Sequence, residues 1–141
     1  MRLFEKSGYV LASLTLVTLT ACTQQPLVGP TMCPALTAIV EQKEDMGFSY
    51  ISIAPGSGWN GENPYATTGL PKRLTFVSAA IRTGQAGPFV ACDYEGSGQF
   101  DFLRMSRRFT SPLIPGGPNW DGDDFCKPAS GSVADCPFSS R

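Results

Sequence analysis

The chain reads as an all-β protein: a small antiparallel β-sandwich or half-open barrel of about five strands, followed by a disulfide-stapled irregular tail. Three observations carry that reading. Runs rich in β-branched and aromatic residues recur at short intervals between Leu36 and Met105. The connections between them are Gly-rich turn sequences. From Ser111 to Arg141 the chain holds five prolines and four glycines, a composition that opposes long regular elements.

The run Leu36 to Lys43 alternates loosely at period two, as does Phe48 to Ala54, where Phe48, Tyr50 and Ile51 to Ile53 include strong strand formers. Glu44-Asp45-Met46-Gly47 between them predicts a β-hairpin with a Gly-ended turn. Further strands are predicted over Arg73–Ile81, Pro88–Tyr94 and Gln99–Met105, separated by the turn sequences 83–87 and 95–98. Val77-Ser78-Ala79-Ala80-Ile81 also suits a short helix. Order in the tail then depends on a disulfide and on Trp120 and Phe125 packing back. No internal repeat is present.

Upstream, an apolar run of about a dozen residues begins near Tyr9, is preceded by Arg2 and Lys6, and ends on Leu19-Thr20-Ala21-Cys22. It is short of the roughly 20 residues a membrane-spanning helix needs and fits the core of a signal peptide. Val10 through Thr20 offers no polar face at helical spacing, which argues against a buried amphipathic helix. The small-small-Cys ending resembles the lipobox of bacterial lipoproteins. That resemblance implies cleavage before Cys22, acylation of its thiol, and anchoring in the lipid bilayer. Thr23 is not the Asp that retains enterobacterial-type lipoproteins in the inner membrane, so the resemblance implies the outer membrane, facing the periplasm. The expected organisation is a signal peptide over 1–21, lipidated Cys22 with a tether to Met32, a β domain over 33–110 and the tail over 111–141. The tether is polar, carries Pro26 and Pro30, and spans about 35 Å when extended.

After loss of 1–21, 120 residues remain, enough for one compact domain. They carry nine basic and eleven acidic side chains, a net charge of −2, which argues against a nucleic-acid partner. Besides Cys22 there are four cysteines: Cys33, Cys92, Cys126 and Cys136. An even number in a small exported domain reads as two disulfides. Zinc is disfavoured by the absence of histidine and of any Cys-x-x-Cys. Of the three possible pairings, Cys33–Cys92 with Cys126–Cys136 is preferred: the first closes a long loop and the second staples the Pro/Gly-rich tail.

Cys33-Pro34, Ile39, Tyr50, Gly58-Trp59-Asn60-Gly61, Phe76 with Ala79 or Ala80, and Cys92-Asp93-Tyr94 follow one another in an order that resembles a family of small secreted bacterial proteins of unknown function. Those chains open on Cys-Pro, carry a central Trp-x-Gly and end on Cys-x-Tyr. The resemblance covers roughly Cys33 to Met105. It implies that Cys33 and Cys92 pair; it implies nothing for the tail with Cys126 and Cys136, and it brings no activity.

Without histidine, Ser-His-Asp and Cys-His chemistry and His-ligated zinc are excluded. An enzyme would have to use carboxylates such as Glu62, Asp93, Glu95 and Asp101, and nothing in the sequence pairs them. No catalytic residue and no cofactor is expected. Asn119-Trp120-Asp121-Gly122-Asp123-Asp124 makes Asp121, Asp123 and Asp124 weak calcium candidates. The helix-loop-helix calcium pattern fails there, since Asp124 occupies the glycine position and Ser130 the bidentate Glu position, and Asx turns account for the same residues.

The long segment Ser57 to Tyr65 is the candidate recognition surface, with Trp59, Asn60, Glu62 and Tyr65 as partner-binding residues. Trp59 suits a core plug equally well. Arg104, Arg107 and Arg108 beside Phe109 form the basic cluster, read either as contacts to lipid phosphates or, preferred, as gatekeepers on an exposed strand edge. The expected function is a non-enzymatic envelope lipoprotein that binds a partner protein, as an accessory subunit of an envelope or secretion assembly. An inhibitor or immunity protein against a periplasm-acting hydrolase or toxin is the alternative. Lipoprotein lysozyme inhibitors carry a Ser-Gly-x-x-Tyr type signature, and Ser97-Gly98 lacks its Tyr. A carboxylate-dependent cell-wall glycan enzyme comes third.

Overall fold

The structure, a computed structural model, describes residues 30–141. The expected signal peptide, acylated Cys22 and tether residues 23–29 lie outside the described residues. Ten strands follow one another: β1 (Val40–Lys43), β2 (Phe48–Ser52), β3 (Trp59–Asn63), β4 (Thr75–Gly84), β5 (Gly87–Glu95), β6 (Phe102–Arg108), β7 (Leu113–Pro115), β8 (Trp120–Asp121), β9 (Phe125–Cys126) and β10 (Phe138–Ser140). Short 3-10 turns stand at Leu36–Ala38, Leu70–Arg73 and Val133–Asp135.

The fold is all-β and antiparallel, as the sequence predicts, with more strands than expected. Eight of them form one open sheet in the order β1-β2-β3-β6-β5-β4-β9-β8, and β10 pairs with β7 in a separate ribbon. β3 is the strand the sequence reading misses. Its residues alternate, with Trp59 and Asn63 buried and Asn60 and Glu62 exposed, yet Asn and Gly are poor strand formers and read as a loop. Pairing with β2 from Phe48↔Asn63 to Ser52↔Trp59 overrides that propensity. Gly61 serves the same packing, since a Cβ there would collide with the Arg104 carbonyl of β6.

The tail expected to be irregular contributes to both sheets. β9 adds to β4 at Ala79 and Ala80, and β10 also bridges Thr31, near the start of the described residues. Strands of two or three residues are too short for alternation to register in a sequence. Trp120 does pack back, its Nε1 donating to the Pro137 carbonyl at 2.9 Å. Phe125 remains exposed. The first predicted strand begins only at Val40, because Leu36–Ala38 closes a 3-10 turn. Val77–Ile81 is strand and not helix, and the register shift between Phe76 and Ser78 explains its helix-like pattern. The bulge moves the inward phase from Phe76, opposite Tyr94, to Ala79, opposite Cys92.

One face of the sheet is the core. Tyr50, Trp59, Val90, Cys92, Tyr94, Leu103 and Met105 point into it from alternate positions. Leu36, Ile39, Leu70 and Leu74 cover it from the turn segments, and Phe138 from the tail. The opposite face holds only small buried residues, Ser78, Ala80 and Ala91, which stand outside that core cluster. Both preferred disulfides are present: Cys33–Cys92 ties the entering chain to β5 with Cα atoms 5.9 Å apart, and Cys126–Cys136 ties β9 to the segment before β10 at 5.8 Å.

Candidate functional site

The antiparallel order brings two connections together at one end of the sheet: residues 64–69 after β3 and residues 96–101 before β6. Asn63 fixes their meeting. Its side chain is buried, its Nδ2 donates to the carbonyls of Phe100 (2.9 Å) and Phe102 (2.8 Å), and its Oδ1 accepts from the Tyr65 amide at 2.9 Å. A buried amide satisfied on both sides is a fixed joint.

Arg73 supplies a second brace. Its Nε meets Asp101 Oδ1 at 3.2 Å while its other nitrogens donate to the Thr68 carbonyl and Thr67 Oγ1. Asp101 in turn accepts from the Gly98 amide at 3.2 Å. On this frame Tyr65 and Phe100 stack with ring centroids 5.3 Å apart, and they stay 58% and 46% exposed. The result is a rigid aromatic tip in solvent, a geometry that buries large area on a partner at small entropic cost.

The structure separates the four residues the sequence groups. Trp59 is 1% exposed and its indole Nε1 donates to the Pro55 carbonyl at 3.1 Å. It is the core plug, because its position in β3 faces inward, and it leaves the candidate surface. Asn60 and Glu62 sit on the exposed face of β3, and Tyr65 lies beyond its end. Phe100 is the residue the sequence reading misses. Its signal is an aromatic following the Gly-rich Glu95-Gly96-Ser97-Gly98 turn, outside the strand that starts at Phe102.

The face opposite the core carries a row set by the strand registers: Val40, Ile51, Asn60, Ser106, Ala91, Ala80 and Phe125. Val40, Ile51 and Phe125 in that row are exposed, Ala91 and Ala80 in it are buried, and Phe102 is exposed two outward positions along β6 from Ser106. At its centre Arg104 grips Asp93 with two bonds, 2.7 and 2.8 Å. That hydrogen bonding and the carboxylate charge push the Arg104 guanidinium further up. Partly exposed as it is, the pair contributes no more than about 1 kcal/mol.

The other sequence candidates resolve simply. β6 is flanked by β3 and β5, so Arg104, Arg107 and Arg108 do not guard an exposed edge, and the gatekeeper reading falls. Asp121, Asp123 and Asp124 are exposed around the β8–β9 turn, and Asp124 lies 3.5 Å from Arg82. Among the described residues no three His, Cys, Asp or Glu side chains are gathered as metal ligands would be. Asp93 and Asp101, two of the acids considered for catalysis, are each engaged by an arginine.

A cleft of about 490 Å³ lies between the two turns Leu36–Ala38 and Leu70–Arg73 and is lined by Leu36, Ile39, Glu41 and Pro71. Its carboxylate is occupied: Glu41 accepts from the amides of Gly69 (2.9 Å) and Leu70 (3.2 Å) and from the Tyr50 hydroxyl (3.4 Å). Glu41 therefore holds the second turn in place. No family model, curated protein or solved structure matches the chain.

Proposed function

We propose that the protein is a non-enzymatic, lipid-anchored envelope protein that holds a partner protein through the Tyr65–Phe100 tip and the adjoining exposed sheet face. The anchor is the acylated Cys22, in the outer membrane and facing the periplasm, on the strength of the lipobox resemblance. The observation that carries the binding role is the stacked, solvent-facing pair of aromatics braced by Asn63 and Arg73. Exposed apolar side chains held rigid mark interaction surfaces. The two disulfides suit an oxidising compartment. Membership in the resembled family is supported by the way its end motifs meet, Cys-Pro against Cys-x-Tyr, through one disulfide and one hydrogen bond.

A second reading, an inhibitor or immunity protein against a periplasm-acting hydrolase, draws on the same rigidity, since a preorganised tip inserts into a cleft without ordering cost. Photo-crosslinking in intact cells, with the reactive side chain at position 65 or at Asp45 in the β1–β2 turn, tests the role. A single adduct from position 65 alone supports it, and the adduct's identity separates an assembly subunit from a hydrolase. Equal adducts from both positions, or none, would reject it.

A further inference from the structure

Adjacent residues of β6 leave on opposite faces of the sheet. Arg108 stands opposite Phe89 and points away from the core, while Arg107 stands opposite the buried Val90 and points to the core side. Arg107 is half-buried there. Its Nη1 donates to the Pro55 carbonyl at 3.1 Å, and its guanidinium carbon lies 4.7 Å from the centre of the Phe109 ring. Both supports are themselves fixed. The Pro55 carbonyl also accepts from Trp59 Nε1 at 3.1 Å, and Phe109 meets the buried Phe138 edge-to-face at 5.7 Å. Gly56 leaves room for the guanidinium, since a Cβ there would collide with Nη1.

Among the described residues, Nε and Nη2 of this arginine make no hydrogen bond, and Arg107 makes no ion pair. The acidic β8–β9 turn meets Arg82 and lies three strand spacings, about 14 Å, from β6. Residues 22–29, which lead into Pro30, contain no Asp or Glu, so the entering chain cannot supply the counter-charge. Arg107 borders a cleft of about 650 Å³, lined also by the apolar Pro30, Pro55 and Phe109 and the hydroxyl-bearing Thr31 and Ser140. A cleft of that volume takes a small organic ligand.

We propose that Arg107 anchors a binding site for a carboxylate-bearing organic ligand, with Phe109 and the two prolines covering the ligand's apolar part. A guanidinium presents its donors in a planar fork that fits a carboxylate with two parallel bonds, and a fork already held in place loses little freedom on binding. A carboxylate suits the cleft better than a phosphate dianion, because Arg108 turns away and leaves one guanidinium there. The ligand supplies the partner that a half-buried charge otherwise lacks. The site lies at the end of β6 away from the Tyr65–Phe100 tip, and it stands whether or not the tip binds a protein.

Nuclear magnetic resonance on the intact, isotope-labelled, membrane-extracted protein tests it, by titration with phenylacetate, with its neutral analogue phenylacetamide and with inorganic phosphate. Phenylacetate should move the Arg107 Nε–H signal and the amides of 56–57 and 109–110, saturating with a Kd of about 1 mM. Phenylacetamide should leave these signals in place, and phosphate should bind about ten-fold more weakly or less. Arg107→Lys keeps the charge and loses the fork, so affinity for phenylacetate should fall about ten-fold. Unchanged amide signals at the turn 44–47 report that the variant keeps its fold; if they change, the three titrations of the unsubstituted protein decide alone. No saturable shift with phenylacetate, an equal response to phenylacetamide, phosphate binding as tight as phenylacetate, or a folded Arg107→Lys protein with undiminished affinity would overturn the site.

Discussion

The Tyr94 hydroxyl donates to the Pro34 carbonyl at 2.6 Å, both groups buried. Pro34 follows Cys33 and Tyr94 lies two residues beyond Cys92, so the bond runs beside the Cys33–Cys92 disulfide and doubles it. The disulfide fixes the entering chain at one point. The hydrogen bond fixes its direction, which sends Pro30 and Thr31 toward Arg107 and Arg108.

Tyr94→Phe keeps the ring contact with Phe76, whose centroid is 5.6 Å away, and removes only the donor. A buried carbonyl left without its partner costs about 1–3 kcal/mol. Urea unfolding should show a loss of that size under non-reducing conditions. No loss would mean that the disulfide alone fixes the entering chain.

Trp59→Ala and Tyr65→Ala should separate core from surface. The first empties the buried face of β3 and should cost about 3–5 kcal/mol. The second forfeits a stacked contact worth no more than about 1.5 kcal/mol. Thermal unfolding orders them, and comparable losses would place Tyr65 in a structural role.

Asn63→Ala leaves the Phe100 and Phe102 carbonyls and the Tyr65 amide without their partner. A destabilisation of about 1–3 kcal/mol is expected, together with faster amide exchange confined to residues 64–69 and 96–102. Exchange rising evenly through the sheet would show that Asn63 supports the whole fold and not the tip.

Alkaline pH should unfold the domain through its buried phenols. Burial first, and the nearby Asp93 second, push Tyr94 well above its ordinary value of 10.0. Burial and then Glu41 do the same for Tyr50. Each phenol stays protonated in the folded state while the unfolded chain ionises above about pH 10, so the folded state binds more protons and stability falls as pH rises. The contribution is fully present below pH 10. Above it each group removes up to about 1.4 kcal/mol per pH unit. Tyrosinate absorbance and circular dichroism should change together, and Tyr94→Phe should flatten the slope. Ionisation of both tyrosines well before unfolding would refute their burial.

What the sequence made legible was what local chemistry decides. The hairpin at Glu44–Gly47 and the β4–β5 and β5–β6 connections follow from turn residues, and the cysteine count gives two disulfides, whose pairing was the preferred one of three. β3 stayed hidden because Trp59-Asn60-Gly61-Glu62-Asn63 becomes strand only through pairing with β2. The tail strands stayed hidden because their partners, Ala79 and Ala80 for β9 and Leu113 to Pro115 for β10, are distant in sequence. Tyr65 was legible as an exposed aromatic. Its companion Phe100 was not, since a contact spanning 35 residues depends on the three bonds of Asn63.

Affinity capture tests the central claim most directly. The intact, membrane-extracted protein, immobilised in its oxidised form, is exposed to detergent-solubilised envelope proteins beside a Tyr65→Ala/Phe100→Ala copy. One near-stoichiometric protein retained by the first and lost from the second is the predicted result. Identical retention by both copies, or nothing retained by either, would contradict a partner-binding role for the tip.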